Sequence, residues 1–140
     1  MATWTAAGSN RPKGDKRSYS NMFDNNDMTY WHGFMPAKEN NKVLVSFRSN
    51  IMFQQLVFTA RPYHIASQSR YQGVCLYLNN IKSMCTSTNR NTKPGDKIVL
   101  NPLNLGPMME IKNVELRFPE VAVVAELQIH YKLQGTKSFS

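Results

Sequence analysis

The sequence predicts an all-β protein, either an antiparallel sandwich or a barrel. Apolar runs recur at a spacing of roughly 8 to 12 residues, with Gly, Pro and Asn between them, which is typical of short antiparallel strands. No segment keeps a helical period beyond a turn or two, and no blade-length repeat indicates a propeller. With 140 residues, 41% of them hydrophobic, the chain can bury one core and is expected to form one domain.

The first part of the chain is irregular. Residues 1–17 are polar around one large apolar side chain, Trp4, and are predicted to form an N-terminal arm or a first edge strand. A loop over residues 18–33 and a second loop over residues 34–41 follow. Regular strands are predicted only after them.

The first regular strands follow one another closely. Val43, Val45 and Phe47 alternate with the next residues in a period of two, and Ser49-Asn50 is interpreted as a break. A second run from Ile51 to Arg61 is predicted to bury one face, and Pro62 ends it. That face is formed by Met52, Leu56, Phe58 and Ala60.

The later strands are shorter and clearly separated. Gly73–Leu78 is one strand, and Lys93–Asp96 has the composition of a turn before a strand at Ile98 and Leu100. Two further strands close the chain. In the first, the alternate residues Val114, Leu116 and Phe118 are predicted to be buried. The second runs over Val121–Leu133 and is predicted to bury its odd-numbered residues and to expose the even-numbered ones, Val124 and Glu126 among them.

The formal charge of +8 raises the question of a nucleic-acid partner. Four basic residues cluster near the N-terminus, but the others are scattered singly and do not form the stripe of basic and aromatic residues of a single-strand binder. Solvated surface charge is therefore preferred, and a nucleic-acid partner is not expected. A small jelly-roll coat protein that packages nucleic acid with a basic N-terminal arm is a less favoured alternative function. The four clustered basic residues near the N-terminus are Arg11, Lys13, Lys16 and Arg17.

The loop from Ser18 to Gly33 concentrates oxygen ligands. Asx side chains favour turns by hydrogen-bonding to their own backbone, which directs carbonyl oxygens inward. Such a loop suits a hard cation, because calcium takes about 6 to 8 oxygens, and a second segment is needed to complete the shell. The oxygen-bearing residues are Asn21, Asp24, Asn25, Asn26, Asp27 and Thr29.

Cys75 and Cys85 are ten residues apart and flank an Asn pair that favours a hairpin turn. A loop of odd length centred on Asn80 would place them face to face, which predicts a disulfide and an oxidising compartment. The alternative is a pair of buried free thiols, which behave as small hydrophobes.

Neither a membrane helix nor an enzyme is expected from the sequence. No window holds about 18 consecutive apolar residues, and no leader begins the chain, so a secreted protein would have lost its signal peptide. The histidines lie on separate segments without a catalytic motif. Glu115 and Glu120 lack surroundings that would separate their pKa values as an acid and base pair requires.

Together, these motifs resemble the discoidin superfamily, which includes coagulation factor type C domains and family 32 carbohydrate-binding modules. The resemblance extends from about Ser18 to Tyr131, and its most specific part is the signature Phe23-Asp24 to Thr29-Tyr30-Trp31 paired with a late Ala125-Glu126. The family usually has Gly where Asn25 stands, and Asn tolerates the left-handed conformation. Many extracellular members join their ends by a disulfide, whereas this chain has no cysteine near either end.

The resemblance implies an eight-stranded antiparallel jelly-roll β-sandwich of the galactose-binding type over residues 18–133, between the arm at 1–17 and a tail at 134–140. It also implies a structural Ca²⁺ that would join the first loop to the last strand. The implied ligands are Asn21, Asp24, Asp27, Thr29, Ala125 and Glu126.

The preferred function is a non-catalytic extracellular module that binds a glycan or glycoprotein through loops at one end of the sandwich. The candidate ligand-binding residues are His32, Arg61, Tyr63, His64 and Arg70, whereas Trp31 is expected in the core. The alternative is an adhesion module for an anionic membrane surface or a protein receptor, with Phe34 and Met35 at a loop tip.

Overall fold

The computed structural model describes residues 4–8, 19–26, 28–32, 42–60, 73–86, 93, 95–102, 108–119 and 123–133. They form eight strands and one short 3₁₀ helix, Tyr19–Phe23, and none of them forms a helix long and apolar enough to cross a membrane. The strands are β1 (Trp4–Gly8), β2 (Trp31–His32), β3 (Lys42–Ala60), β4 (Cys75–Leu78), β5 (Ile81–Cys85), β6 (Lys97–Leu100), β7 (Met108–Arg117) and β8 (Val123–Leu133).

Strand β3, with 19 residues, belongs to both layers of a sandwich. Its N-terminal half at Val43–Phe47 lies between β1 and β7, and its C-terminal half at Leu56–Thr59 lies between β6 and β8. The strand order β2-β8-β3-β7-β4-β5 continues from these pairs, and every pair is antiparallel. The predicted all-β class is confirmed. Near the start of the chain, Trp4–Gly8 pairs as β1 with β3, which is its single partner among the described strands.

The core lies between the two layers. Phe118, just after β7, packs on Trp31 with ring centroids 5.4 Å apart and on Phe58 at 5.9 Å. Phe47 on the first half of β3 meets Tyr131 on β8 edge to face at 4.9 Å. Because these pairs join opposite layers, the hydrogen-bonded sheet must curl on itself. Trp31 is fully buried, which confirms its predicted position in the core.

Two details of β3 differ from the sequence prediction. Ser49-Asn50 does not end a strand, because β3 continues through it while its register with β7 shifts between Ser46 and Ile51. Phe53 rather than Met52 is buried, since Gln54 is an extra residue opposite β8 and reverses the alternation at that point.

The hairpin of β4 and β5 contains the predicted disulfide. The turn that aligns its two cysteines differs from the predicted one. Asn79 and Asn80 form a two-residue turn with φ angles of 51° and 67°, so the predicted loop of odd length is wrong. An extra residue, Ser83, restores the parity and places Cys75 opposite Cys85. Their sulfurs are bonded at 2.02 Å.

Asn79 also fastens this turn to β7. Its Oδ1 accepts hydrogen bonds from the amides of Lys112 and Asn113 at 2.9 and 3.1 Å, and its Nδ2 donates to the carbonyl of Glu110 at 2.9 Å. These bonds satisfy the backbone of β7 where Glu110 adopts a φ of 60°. The hairpin and β7 are therefore held in a single register.

We expect Asn79→Gly to lower the free energy of unfolding by about 1 to 3 kcal/mol, because glycine keeps the left-handed turn but leaves three backbone groups without their partner. Urea unfolding measures this change. Asn80→Gly is the matched control, since its side chain accepts one exposed bond, from Arg117, and should cost less. Equal losses in the two variants would contradict the role given to Asn79.

Candidate functional site

The loop between the 3₁₀ helix and β2 is built from consecutive Asx turns. The amide of Asn26 donates to Asp24 Oδ1 at 2.9 Å, and the amide of Met28 donates to Asn26 Oδ1 at 2.9 Å. Asn25 has a φ of 58°, the left-handed conformation that Asn tolerates better than most residues. The polar sequence thus folds into a tight loop whose oxygens face each other, as its composition predicts.

Three oxygens converge on the hydroxyl of Thr29. The Asp24 Oδ2, the carbonyl of Asn26 at 3.0 Å and the carbonyl of Asn21 at 3.4 Å all lie within reach of Thr29 Oγ1. A hydroxyl has one hydrogen to donate, so it cannot satisfy all three acceptors at once. The Thr29 amide also donates to the Asn26 carbonyl at 3.3 Å, so the three oxygens share the two donor groups of Thr29.

Glu126 brings a second carboxylate to the loop from β8, 100 residues further along the chain. Its Oε1 accepts from the amide of Asn26 at 2.8 Å, the same amide that donates to Asp24. The side chain is buried, so the predicted exposure of Glu126 is wrong, and the Asn26 amide of the loop lies against its carboxylate. The two carboxylates consequently lie within two hydrogen-bond lengths of each other.

A bulge in β8 accompanies this contact. Thr59 pairs with Glu126 whereas Ala60 pairs with Val124, which leaves Ala125 as an extra residue outside the ladder. Bulges of this kind occur where a strand redirects its groups toward a site. The bulge also breaks the predicted alternation, because Val124 is fully buried beside Trp31 and not exposed.

The pKa of Asp24 reflects these contacts. Desolvation by burial opposes its ionisation, but hydrogen bonds from the Thr29 hydroxyl, with the Glu126 side chain and from backbone amides outweigh it, and the pKa falls below its ordinary value of 3.8. Two carboxyl groups in contact avoid repulsion only if they share a proton or a cation.

The donor set fits a hard cation. Asp24 and Glu126 supply charge, and Thr29, Asn21 and Asn26 supply neutral oxygens, which is the ligand chemistry of calcium. No cluster of three or more His, Cys, Asp or Glu side chains occurs among the described residues, so neutral oxygens would have to contribute most of the shell. Asp27, also predicted as a ligand, lies outside the described residues, and the role of Asn26 was missed although its place in the Asx run indicated it.

The predicted sugar-binding residues fall mostly outside the described part of the chain. This holds for Arg61, Tyr63, His64 and Arg70, and for Phe34 and Met35 of the alternative membrane loop. The backbone of His32 pairs with Val123 in β2, and its side chain is not described. The ends of the segment that carries the four residues are nevertheless held, since the Ala60 amide donates to the Asp96 carbonyl and the Gly73 amide to the Thr86 carbonyl.

We expect the acid sensitivity of the fold to depend on Asp24. Because its pKa is lowered in the folded state, the ionised carboxylate stabilises the fold at neutral pH, and this contribution is lost as the pH falls through and below 3.8. Asp24→Asn should flatten the fall in unfolding free energy between pH 6 and pH 3, as urea titrations at each pH would measure. The effect should be modest, since Asp24 is exposed. Asn25→Gly is the non-titrating control, and an equal acid dependence in wild type and Asp24→Asn would contradict the assignment.

No family model and no curated protein matches the sequence, whereas solved structures match its fold. An F5/8 type C domain from Bacteroides fragilis superposes with a TM-score of 0.74 at 15% identity, covering 95% of this chain and 96% of that domain. A family 32 carbohydrate-binding module from Clostridium perfringens in complex with galactose gives 0.63 at 14% identity, covering 94% and 93%. A fucolectin from striped bass (Morone saxatilis) serum gives 0.68 at 14% identity, covering 92% of this chain and 46% of that one. The chain therefore has the discoidin-like, galactose-binding-like β-sandwich fold that these domains share.

Proposed function

We propose that this protein is a non-catalytic glycan-binding module whose sandwich is stabilised by calcium. The observation that carries the proposal is the fold, which the chain shares over 94% of its length with a carbohydrate-binding module solved with galactose. The similarity to a fucolectin supports the same class of ligand. At this level of identity the fold supports the class and leaves the sugar open.

Calcium would be held by the first loop and the last strand together. Asp24 and Glu126 would supply the carboxylates, Thr29 its hydroxyl, and Asn21, Asn26 and Ala125 their carbonyls. The convergence of oxygens on Thr29, the contact of two carboxylates and the bulge at Ala125 support this ligand set. The ion would contribute structure, because it would link residues separated by about the length of the domain.

The glycan would bind at the end of the sandwich where β3 leads into residues 61–72. Arg61, Tyr63, His64 and Arg70 combine aromatic and hydrogen-bonding groups, which suit the apolar face and the hydroxyls of a sugar. His32 would contribute from β2. These assignments rest on the resemblance of the sequence to family 32 modules.

An extracellular location is part of the proposal. The Cys75–Cys85 disulfide supports it, because disulfides persist mainly in oxidising compartments. The positive charge of the chain would favour acidic glycoproteins or other anionic surfaces among its partners. Catalysis is not part of this function.

Removal of calcium should lower the melting temperature. A ligand that binds only the folded state stabilises it by about 2.7 kcal/mol at a hundredfold excess over its dissociation constant, and EGTA removes that contribution. Differential scanning calorimetry with and without calcium measures the shift. Glu126→Gln should abolish the shift, whereas Glu110→Gln, an exposed position on β7, should retain it. A melting curve unchanged by calcium in the wild type would exclude the site.

Glycan binding should depend on the 61–72 segment. Arg61→Ala and His64→Ala should each weaken binding of the best glycan by about tenfold, since each removes a hydrogen-bonding group. A glycan array with and without calcium identifies the glycan that binds best. Isothermal titration calorimetry then measures the affinity of each variant for that glycan. Lys132→Ala, exposed on β8, serves as the control. Binding to phosphatidylserine vesicles without any glycan signal would favour the membrane alternative instead.

A further inference from the structure

A cavity of about 480 Å³ runs along β8, between that strand, the N-terminal half of β3 and the end of the 3₁₀ helix. Leu127, Ile129 and Tyr131 line it, and so do Gln128 and His130 between them. Since alternate residues point to opposite faces of a strand, the cavity must follow the edge of β8 and reach both of its faces.

The described pairing on the outer edge of β8 is short. Among the described residues, β2 is the strand that pairs with β8 on the side away from β3, and it reaches only Val123 and Val124. The 3₁₀ helix closes one end of the cavity through Phe23. The cavity borders β8 from Glu126 to Tyr131, beyond the two residues that pair with β2.

The floor of the cavity is apolar and well packed. Val45, Phe47 and Leu127 are buried core residues, and the edge-to-face contact of Phe47 with Tyr131 holds two aromatic rings in place across the layers. Tyr131 and Phe23 are only half-buried. Part of each ring therefore remains available to a bound molecule.

The rim of the cavity carries hydrogen-bonding groups. Asn25, Gln128 and His130 are exposed, and each amide offers both donors and acceptors. Glu126, at one end, is held by the amide of Asn26 at 2.8 Å, which fixes that end of the rim relative to β8. An apolar floor beneath a few polar groups is the usual composition of a small-molecule site, and the volume falls in the usual range of about 300 to 1,000 Å³.

The lining selects the class of ligand. Among the described residues it contains the carboxylate of Glu126 and no Lys or Arg, which disfavours a phosphate, sulfate or carboxylate. The amides and the imidazole suit hydroxyl groups, which both donate and accept, and the aromatic floor suits a ring with an apolar face. We infer that this cavity is a second ligand site, separate from residues 61–72, which takes one neutral pyranose unit of a glycan.

The test is a titration of the full chain with methyl β-galactopyranoside and methyl β-glucopyranoside, followed by amide chemical shifts in two-dimensional NMR. Saturable shifts at Asn25, Gln128 and His130 are expected with at least one sugar. Cyclohexanol is the matched control ligand, because it keeps the ring but lacks the ring hydroxyls. Equal binding of cyclohexanol at these amides would overturn the sugar assignment.

Variants separate this site from the proposed loop site. Gln128→Ala combined with His130→Ala should raise the dissociation constant measured at the cavity amides by at least about tenfold, whereas Asn113→Ala, an exposed amide on β7, should leave it unchanged. Arg61→Ala with His64→Ala should not affect it either. Sugar-induced shifts confined to residues 61–72 would overturn the second site and leave the proposed function standing, whereas shifts confined to the cavity would overturn the placement of a glycan site at residues 61–72.

Discussion

The hydrogen-bonding of β3 to four other strands is the constraint on which the rest of the structure depends. Its first half pairs with β1 and β7 and its second half with β6 and β8, so one continuous strand serves both layers. The register shifts along it let the strand curl without losing its pairing. Since Phe47 and Phe58 lie in different halves and both contribute to the core, the position of the core follows from how this strand bends.

A second consequence concerns β8, whose position beside β3 brings Glu126 under the first loop. Three oxygens of the loop converge on Thr29, and β8 adds a second carboxylate beside that of Asp24. Two carboxyl groups in contact avoid repulsion by sharing a proton or a cation. The same strand, past its bulge, lines the cavity with Gln128 and His130. The candidate calcium site and the second ligand site are therefore two parts of one edge.

The two proposed sugar sites would have different physical character. The segment at 61–72 contains Arg and His beside Tyr, which suits directional contacts with hydroxyls or with acidic sugars, while the cavity along β8 lacks basic residues and has a buried apolar floor. A module with both would contact two units of one chain or two separate glycans. Multiple weak contacts of this kind raise overall affinity when a ligand can engage them together.

By itself, the sequence determined the all-β class, the Asx loop, the pairing of Cys75 with Cys85 and the core position of Trp31. Those features depend on local chemistry, since alternation, turn-forming residues and amphipathic side chains act over a few positions. The contact of Asp24 with Glu126 came only from resemblance to a family, because no local rule relates residues 100 positions apart. Tertiary structure alone decided the bulges at Gln54, Ser83 and Ala125 and the cavity along β8. A bulge changes which side chains face the core, and its position depends on how two strands fit together, a property that neither strand contains alone.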